Sequence, residues 1–282
     1  MAKFILSAFA DEASPLLHEQ LAALKAEGIA LIELRGVDGK NCAQLTLEEA
    51  DAVKARLDAA GVKLSALGSP YGKYPLAEPF EKHLADFRHG LQLCKRLGCS
   101  RMRMFSFYPA EGTDPEAGRA EVVRRLSVMV QEAAQAGVTL CHENEKGIYG
   151  DVTARCCDLL GEFPELGFVF DPANFIQCGV EPLEAFAALK DRVTYMHIKD
   201  ALLSDGAVVA AGHGDGHVAE ILSQLNDMHE GEVVLTIEPH LTVFDGLAGL
   251  QDEELKHHET YPDAPTAFHA ACEALKGILN RI

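Results

Sequence analysis

Four short apolar stretches of this sequence each lead to a residue that can bind a metal ion or move a proton. The stretches cover residues 138–141, 167–170, 193–196 and 233–237, and they lead to Glu143, Asp171, His197 and Glu238. Each is rich in β-branched or aromatic residues, which predicts a short buried strand. Two Glu, one Asp and one His at one edge of a sheet would make a site for one divalent ion, and this set suits Mn²⁺, Mg²⁺, Co²⁺ or Zn²⁺. It lacks the thiolates that would select structural zinc or an iron–sulfur cluster.

Each of the four residues has an ordinary structural explanation when it is taken alone. A Glu at a strand end is usually a solvated loop residue or a helix cap, and a lone His is more often a hydrogen-bonded structural residue than a ligand. Chance placement explains four of them on successive strands less well, so the pattern predicts one shared metal site. Such a site suits removal of a proton beside a carbonyl. A metal would stabilise the enediolate, and Glu143 and Glu238 could remove and return the proton while remaining ligands.

A strand, a polar loop, an amphipathic helix and a glycine recur in this order along the 282 residues of the chain. Predicted strands begin near residues 4, 30, 62, 101, 138, 167, 193 and 233. Strict alternation of strands and helices predicts a parallel sheet with the helices outside. Eight units in a chain somewhat longer than about 250 residues favour closure into a barrel. We therefore predict a single domain over residues 1–282, an α/β fold of the (β/α)8 TIM-barrel type, with its active site at the C-terminal mouth.

Several polar residues are candidate helix caps. Thr46 and Glu49 form a capping-box pattern, Ser14 precedes Pro15, and Asp151 precedes the fifth predicted helix. A side-chain oxygen at this position can accept an otherwise unpaired backbone N–H of the first helical turn. We therefore expect a helix to start at each of these places.

Two loops are longer than the others, residues 199–216 and residues 240–264. The second loop has two interpretations, a cover over the site or a disordered surface insertion. The first contains the sequence GHGDG at residues 212–216, in the region where such barrels often hold phosphate. Its backbone N–H groups could cradle an anion, but Asp215 would oppose one. A tight turn without a ligand is therefore the favoured interpretation.

Composition and charge argue against several classes of protein. The net charge of −18 repels nucleic-acid backbones, so we expect no nucleic-acid partner. No apolar stretch approaches the roughly 20 residues of a membrane span. Asp11 and Glu12 interrupt the short apolar start before it could serve as an export signal. The eight Cys form no CxxC motif, so we expect free thiols in a reducing cytosol and a cytoplasmic protein.

The ligand candidates and their neighbours resemble a known family. Glu143, Asp171, the HIKD segment that begins at His197 and the Glu-Pro pair at Glu238 look like the metal-site motifs of xylose isomerase-like TIM barrels. That superfamily includes sugar and sugar-phosphate isomerases, ketose 3-epimerases, inosose dehydratases and DNA-repair enzymes of the endonuclease IV type. Residues 33–41, 68–73 and 141–151 are similar to its sugar phosphate isomerase/epimerase branch.

The resemblance implies a divalent-metal-dependent isomerase or epimerase of a small sugar, sugar acid or sugar phosphate that works through an enediolate. The four residues above would be the metal ligands, with Glu143 and Glu238 as the acid/base pair. Two positions depart from the ketose 3-epimerase pattern. Asn174 stands where those enzymes usually have a His, and Leu203 stands where they have an Arg. The additional His ligands of the three-zinc endonuclease site are not evident either.

Further residues near the predicted mouth are candidates for substrate binding: Glu33, Arg35, Lys73, Asn144, Asn174, Lys199 and His240. Lys199 has two equal interpretations. It could contact substrate oxygens or a phosphate, or it could form a structural ion pair with Asp200.

His142 should point opposite to Glu143 in a regular strand. This favours a position facing a helix and a hydrogen-bonded role.

Other functions stay open beside the isomerase. A dehydratase of a keto-polyol such as an inosose would begin with the same proton abstraction and then expel a hydroxide. A catalytically silent barrel would bind a sugar or a partner unchanged. A DNA endonuclease is the least favoured function. We expect a small carbohydrate as the binding partner and no membrane association. A homo-oligomer is an open alternative, because barrels of this type often associate through outer helices.

Overall fold

The computed structural model describes residues 1–110, 112–242 and 256–282. Eight parallel strands form the wall of a barrel: β1 (Ala2–Ala8), β2 (Leu31–Leu34), β3 (Lys63–Leu67), β4 (Arg101–Met104), β5 (Thr139–Glu143), β6 (Gly167–Phe170), β7 (Val193–Ile198) and β8 (Gly231–Ile237). Their hydrogen-bonded order is β1-β8-β7-β6-β5-β4-β3-β2. The two end strands of this order, β1 and β2, contact each other, so the barrel is nearly closed. This confirms the predicted (β/α)8 TIM-barrel fold.

Helices cover the outside of the barrel. They are α1 (Leu17–Ala26), α2 (Leu47–Ala60), α3 (Phe80–Leu97), α4 (Arg119–Ala136), α5 (Thr153–Glu162), α6 (Pro172–Gln177), α7 (Pro182–Leu189), α8 (Val218–Met228) and α9 (Ala264–Leu279). The sequence does not predict α6, because six residues are too few for an amphipathic repeat. Short antiparallel hairpins lie after β2 and after β7, where Gly36–Val37 pairs with Lys40–Asn41 and Asp200–Ala201 pairs with Val208–Val209.

Alternation of side chains along each strand separates two apolar regions. The larger core lies between the strands and the helices. A second, smaller cluster consists of Ala66, Cys141, Val169, Tyr195 and Val234. Glu143, Asp171 and His197 each lie two positions beyond a member of this cluster. Because side chains two positions apart on a strand share a face, these polar residues project into the barrel interior above an apolar floor.

The predicted caps Ser14 and Asp151 are wrong, because other partners act at these helix starts. α1 begins at Leu17, whose N–H donates to Asp38 Oδ1 at 2.9 Å. Asp151 Oδ1 accepts a hydrogen bond from Arg155 Nε at 2.9 Å, and α5 begins without a side-chain cap. Asp38 is 21 positions from Leu17, so the fold supplies this acceptor, whereas Asp151 and Arg155 are only four positions apart and form a local ion pair.

The long segment after β8 is only partly described. Residues 243–255 lie outside the described residues, so a cover over the site stays a prediction. The segment that follows them packs beside the hairpin after β7, where the N–H of Val208 donates to Lys256 O at 3.0 Å. His257 Nε2 lies 2.6 Å from His240 O and ties the same segment to the mouth.

Two predictions from composition can be compared with the structure. All eight cysteines lie among the described residues, and all are free thiols, as predicted. A helix with the length and apolar character needed to cross a bilayer does not occur in the described ranges.

The capping box before α2 forms as predicted. Thr46 Oγ1 accepts the N–H of Glu49 at 3.1 Å, and Glu49 Oε2 accepts the N–H of Thr46 at 2.9 Å. These two hydrogen bonds satisfy backbone donors that the helix itself cannot pair.

Replacing Thr46 with Ala should lower the free energy of unfolding by about 1 kcal/mol, because the N–H of Glu49 loses its acceptor. Denaturant unfolding followed by circular dichroism measures the change. Glu48→Ala alters an exposed residue of the same turn and should stay within about 0.5 kcal/mol of wild type. Equal losses in the two variants would show that the cap does not stabilise this helix.

Candidate metal and substrate site

The four ligand candidates converge at the C-terminal mouth of the barrel. Glu143 ends β5, Asp171 follows β6, His197 lies in β7 and Glu238 follows β8. Each offers one ligand atom, and these atoms all lie within 4.8 Å of one another. All four side chains are buried. The structure therefore brings together the residues that the sequence places at the ends of four strands.

His197 lies between carboxylates on both sides of its ring. Nδ1 is 2.9 Å from Glu143 Oε1 and 3.5 Å from Glu238 Oε2. Nε2 is 3.1 Å from Glu33 Oε2. In the neutral ring with its proton on Nε2, that proton would be donated to Glu33. The lone pair on Nδ1 would then face the space beside the candidate carboxylates, where a metal ion could bind. Metal-binding histidines commonly have this arrangement, with a carboxylate behind the ring.

Glu33 is itself held in place by residues of the barrel interior. Tyr195 OH donates to Glu33 Oε1 at 2.9 Å, and Thr236 Oγ1 donates to Glu33 Oε2 at 2.9 Å. Glu33 is fully surrounded by protein. This position favours support of His197 over the substrate contact that the sequence suggests.

Two carboxylate oxygens of the site have the properties of metal ligands. Glu143 Oε2 and Asp171 Oδ2 are buried and accept no hydrogen bond. Each faces one positive charge, since Arg103 Nη1 lies 3.3 Å from Glu143 Oε2 and Lys199 Nζ lies 3.0 Å from Asp171 Oδ2. Buried carboxylate oxygens beside an oriented imidazole are the donors that a divalent ion takes. The residues present could therefore hold one divalent metal ion.

Lys199 lies between two of the ligand carboxylates. Its Nζ is 3.0 Å from Asp171 Oδ2 and donates to Glu238 Oε2 at 3.1 Å. Asp200 points the other way, and its carboxylate accepts backbone N–H groups of the loop 212–216. The ion pair between Lys199 and Asp200 therefore does not form, and Lys199 belongs to the site.

Arg35 joins Glu238 to two acidic residues that follow β1. Its Nη1 donates to Glu238 Oε1 at 3.0 Å. Nε and Nη2 donate to Asp11 at 2.9 and 3.1 Å, and Nη2 also donates to Glu12 Oε1 at 2.9 Å. One oxygen of Glu238 thus faces Arg35, and the other faces Lys199.

Three residues of this network were not predicted from the sequence: Asp11, Glu12 and Arg103. Asp11 and Glu12 follow β1 at the same edge of the barrel as the other candidates, and that position was the available signal. Arg103 lies within β4, and its guanidinium is 5.1 Å from the ring centroid of Phe9 and 5.0 Å from that of Phe105. A charged residue in the middle of a buried strand is the pattern that would have identified it.

Asn144 and Asn174, two of the predicted substrate contacts, are hydrogen-bonded to the ligand candidates Glu143 and Asp171. Asn144 forms two hydrogen bonds with the backbone of Asp171, at 2.8 and 3.0 Å. Asn174 Nδ2 donates to Glu143 Oε1 at 3.2 Å, and its backbone N–H donates to Asp171 Oδ1 at 3.0 Å. These contacts favour a positioning role for both residues.

Lys73 and His240 lie at the edge of the same network. Lys73 Nζ donates to Glu145 Oε2 at 2.8 Å and lies 4.6 Å from the ring centroid of Phe105. His240 Nε2 lies 3.4 Å from Glu238 Oε1. Its backbone has a φ of 45°, a left-handed conformation that is costly for a residue other than glycine. Their predicted contacts with a substrate stay predictions.

His142 faces away from the site, as its position next to Glu143 predicts. Its Nε2 lies 3.0 Å from Ser106 Oγ, and its ring stacks on Phe168 with centroids 6.3 Å apart. Burial lowers the pKa of His142 to about 4, so the ring is neutral. These contacts support a structural role.

Burial and neighbouring charges act against each other on the pKa values of the site. Burial alone would raise the pKa of Glu143, but the charges on His197 and Arg103 outweigh it and bring the pKa to about 2. Burial raises the pKa of Asp171 to about 7 despite the charge on Lys199. Burial disfavours the charged form of His197, but the surrounding carboxylates hold its pKa well above the usual range. Without a metal, the raised pKa favours the protonated form of His197, and a metal ion bound at this ring would have to displace a proton.

Comparison with known proteins agrees with this architecture. A family model described as xylose isomerase-like TIM barrel matches residues 21–261. The chain belongs to this family. No curated protein sequence matches it.

Several solved structures share the fold over almost the whole chain. They are the IolI protein with a bound zinc atom (17% identity, TM-score 0.72, 98% of each chain covered), the probable 3-DHS dehydratase AsbF from Bacillus anthracis (16% identity, TM-score 0.71, 98% of this chain and 99% of that one) and D-allulose 3-epimerase from Methylomonas sp. (17% identity, TM-score 0.70, 100% of each chain). At these identities the likeness shows the fold alone.

Replacing Glu33 with Gln should weaken metal binding by about 10- to 100-fold, because His197 loses the carboxylate that orients its ring. Titration calorimetry of the metal-free protein with Mn²⁺ measures the affinity. Glu132→Gln is the matched control, since Glu132 is also an ion-paired carboxylate but lies on the outer helix α4, bound to Arg88. It should bind metal as wild type does. Wild-type affinity in Glu33→Gln would show that this contact does not orient a metal ligand.

Metal affinity should rise with pH, because protons compete for the same atoms. Above the pKa of about 7 of Asp171, only His197 carries a proton that the metal displaces, so about one proton should be released per metal. Below that pKa, Asp171 is protonated as well, and the number should approach about two. Calorimetry in two buffers with different ionisation enthalpies gives this number. No proton release on either side of the pKa would contradict a role for His197 as ligand.

Proposed function

We propose that this protein is a divalent-metal-dependent isomerase or epimerase of a small sugar, sugar acid or sugar phosphate. The reaction would proceed by proton abstraction beside a carbonyl, through an enediolate. One observation carries the proposal. The carboxylates of Glu143 and Glu238 come from β5 and β8, which two strands separate in the sheet, yet both approach Nδ1 of His197. Family membership and the epimerase fold of the Methylomonas neighbour support it.

In this proposal Glu143, Asp171, His197 and Glu238 hold the metal. The bound ion would polarise the substrate carbonyl and stabilise negative charge on its oxygen. The oriented imidazole and the carboxylate oxygens without hydrogen bonds support this assignment. The IolI protein, which has the same fold, contains a bound zinc atom, and Mn²⁺, Mg²⁺ and Co²⁺ suit the same donors.

Glu143 and Glu238 would move the proton. Burial raises the pKa of Glu238, but the charge on Lys199 and the contacts with His197 outweigh it and hold that pKa well below the usual range. With the pKa of Glu143 at about 2, both carboxylates are ionised at neutral pH and can accept a proton. If one carboxylate removes the proton and the other returns one to the opposite face, the carbon is inverted. Return to the neighbouring carbon moves the carbonyl instead.

The charged groups around the pair would bind the substrate oxygens. Burial lowers the pKa of Lys199, but Asp171 and Glu238 raise it above the usual range, so its ammonium group stays charged. An ammonium 3.1 Å from Glu238 Oε2 can donate a hydrogen bond to a hydroxyl or an oxyanion beside the reacting carbon. Arg35 contacts the other oxygen of Glu238 and keeps it oriented.

A keto-polyol dehydratase is the second candidate, and the position of Lys199 favours it. After the same proton removal, an ammonium beside the base could protonate a departing hydroxyl. A protein described as a probable 3-DHS dehydratase has the same fold. Product mass separates the two reactions, because dehydration loses water and isomerisation leaves the mass unchanged. The net charge of −18 favours a small molecule over nucleic acid as the partner, and a homo-oligomer stays a prediction.

Metal-loaded protein in D₂O tests the proposal with a panel of ketoses, keto-polyols and their phosphates. Proton NMR follows deuterium entering the carbon beside the carbonyl. The wild-type protein should exchange that hydrogen in at least one compound. Glu238→Gln should slow the exchange by at least about 100-fold, because an amide cannot accept the proton. Saturating metal is required, since Glu238 is also a ligand candidate.

Glu132→Gln again serves as the matched control and should exchange at the wild-type rate. If no compound exchanges although one metal ion is bound per chain, the enediolate mechanism is contradicted. Tight sugar binding without exchange or loss of water would instead favour the catalytically silent barrel.

A further inference from the structure

The loop formed by residues 212–216 surrounds a carboxylate of the same chain. Asp200 Oδ1 accepts the N–H groups of Ala201 and Gly216 at 2.9 and 2.8 Å. Asp200 Oδ2 accepts those of Gly212 and Gly214 at 2.8 and 3.1 Å. The side chain is fully buried. Several backbone N–H groups directed at one point form the kind of cradle with which proteins bind phosphate and other anions.

The carboxylate fills this cradle. Within residues 212–216, all described, the remaining N–H groups of His213 and Asp215 donate to backbone carbonyl oxygens at 2.9 and 2.8 Å. All five N–H groups of the loop therefore have acceptors in the protein. A Cβ atom at Gly214 or Gly216 would collide with the carboxylate of Asp200. The loop is thus built around Asp200 and has no space for a second anion beside it.

The helix that follows the loop also carries acidic groups at its start. His217 precedes α8, and its ring lies 3.4 Å from Glu181 and 3.7 Å from Glu220. The positive end of a helix dipole attracts anions, and carboxylates of the chain already lie beside it. In barrels of this type the loops after strands seven and eight and a helix start hold phosphate. Here, the loop after β7 and the start of α8 face the chain's own carboxylates.

The cations at the mouth are paired in a similar way. Four of them have side chains no more than 9% exposed, and each lies within 3.3 Å of a carboxylate oxygen: Arg35, Lys73, Arg103 and Lys199. The sequence of residues 243–255, which follows β8, contains Asp245, Asp252, Glu253 and Glu254 and no Lys, Arg or His.

These ion pairs disfavour the binding of a phosphate group and are compatible with the binding of a hydroxyl group. A phosphate ester carries up to two negative charges and accepts hydrogen bonds, so it would have to take a cation from a buried carboxylate. A hydroxyl group both donates and accepts, so it can bind a carboxylate and an ammonium at the same time.

We infer that Asp200 is a built-in anion in the phosphate-binding position of this barrel, and that the substrate is an unphosphorylated polyhydroxy aldehyde or ketone. The substrate part of this inference rests on the proposed function, whereas the part on Asp200 does not.

Inorganic phosphate is the probe for Asp200, with metal-loaded protein labelled with ¹⁵N at glycine. In the wild type, the amide signals of Gly212, Gly214 and Gly216 should not move as phosphate is added. Asp200→Ala removes the carboxylate and frees the donors, so the same signals should shift and saturate. Movement of these signals in the wild type would overturn the inference, as would a folded Asp200→Ala in which they stay unchanged.

Asp200→Asn is the matched control, because it keeps the shape of the side chain and one acceptor oxygen. Its glycine signals should stay insensitive to phosphate. Should Asp200→Ala not fold, the wild-type protein still decides the question, through its own glycine signals and through the ligand pairs below.

Matched pairs of a sugar and its phosphate ester test the substrate part on metal-loaded wild type. Calorimetry should give at least about tenfold tighter binding of the unphosphorylated member of each pair. Deuterium exchange should also be faster in that member. Tighter binding of the esters would overturn the inference. If neither member exchanges but the unphosphorylated one binds more tightly, the enediolate mechanism fails and the substrate class stands.

Discussion

The position of the His197 ring between the carboxylates of Glu33 and Glu143 is the contact on which the geometry of the site depends. The ring cannot rotate without breaking hydrogen bonds at both nitrogens, 2.9 and 3.1 Å long. Glu33 is held in turn by Tyr195 and Thr236, which belong to the barrel interior. The layer beneath the mouth therefore orients one ligand candidate, His197, through Glu33. The interior of this barrel is a support for the site as well as a core.

Burial of the charged groups at the mouth requires that they compensate one another, because an unpaired charge removed from water is strongly unfavourable. Arg35, Arg103 and Lys199 each contact the carboxylate of a ligand candidate. The four ligand atoms nevertheless lie within 4.8 Å of one another, and Asp171 retains a pKa of about 7, raised by its burial and by the neighbouring carboxylates. A cation among the four atoms would reduce the repulsion between the carboxylates and lower the pKa of Asp171. This electrostatic demand, together with the orientation of His197, supports the proposed metal site.

The residues that the sequence suggested can be recognised from their local position on a strand. The residues that it missed can be recognised only from partners that are distant in the chain. His142 and Glu143 could be separated in advance, because neighbours on a strand point to opposite faces. Asp11 and Arg103 could not be assigned, although both are visible as charged residues beside or within buried strands. Asp11 and its partner Arg35 are 24 positions apart, and Arg103 is 40 positions from Glu143. Their significance depends on which strand ends adjoin in the closed barrel.

The repeated strand and helix units, the edge of the sheet where the candidate site lies and the four ligand candidates could all be predicted from the sequence. Each of these follows from local periodicity and from the direction of parallel strands. The partners of these residues could be identified only in the folded chain: Lys199 binds Asp171 and Glu238 rather than Asp200, and Asp200 lies inside the loop 212–216. The physical reason is that such contacts join residues distant along the chain. They are set by the packing of neighbouring strands and loops, which no local pattern encodes.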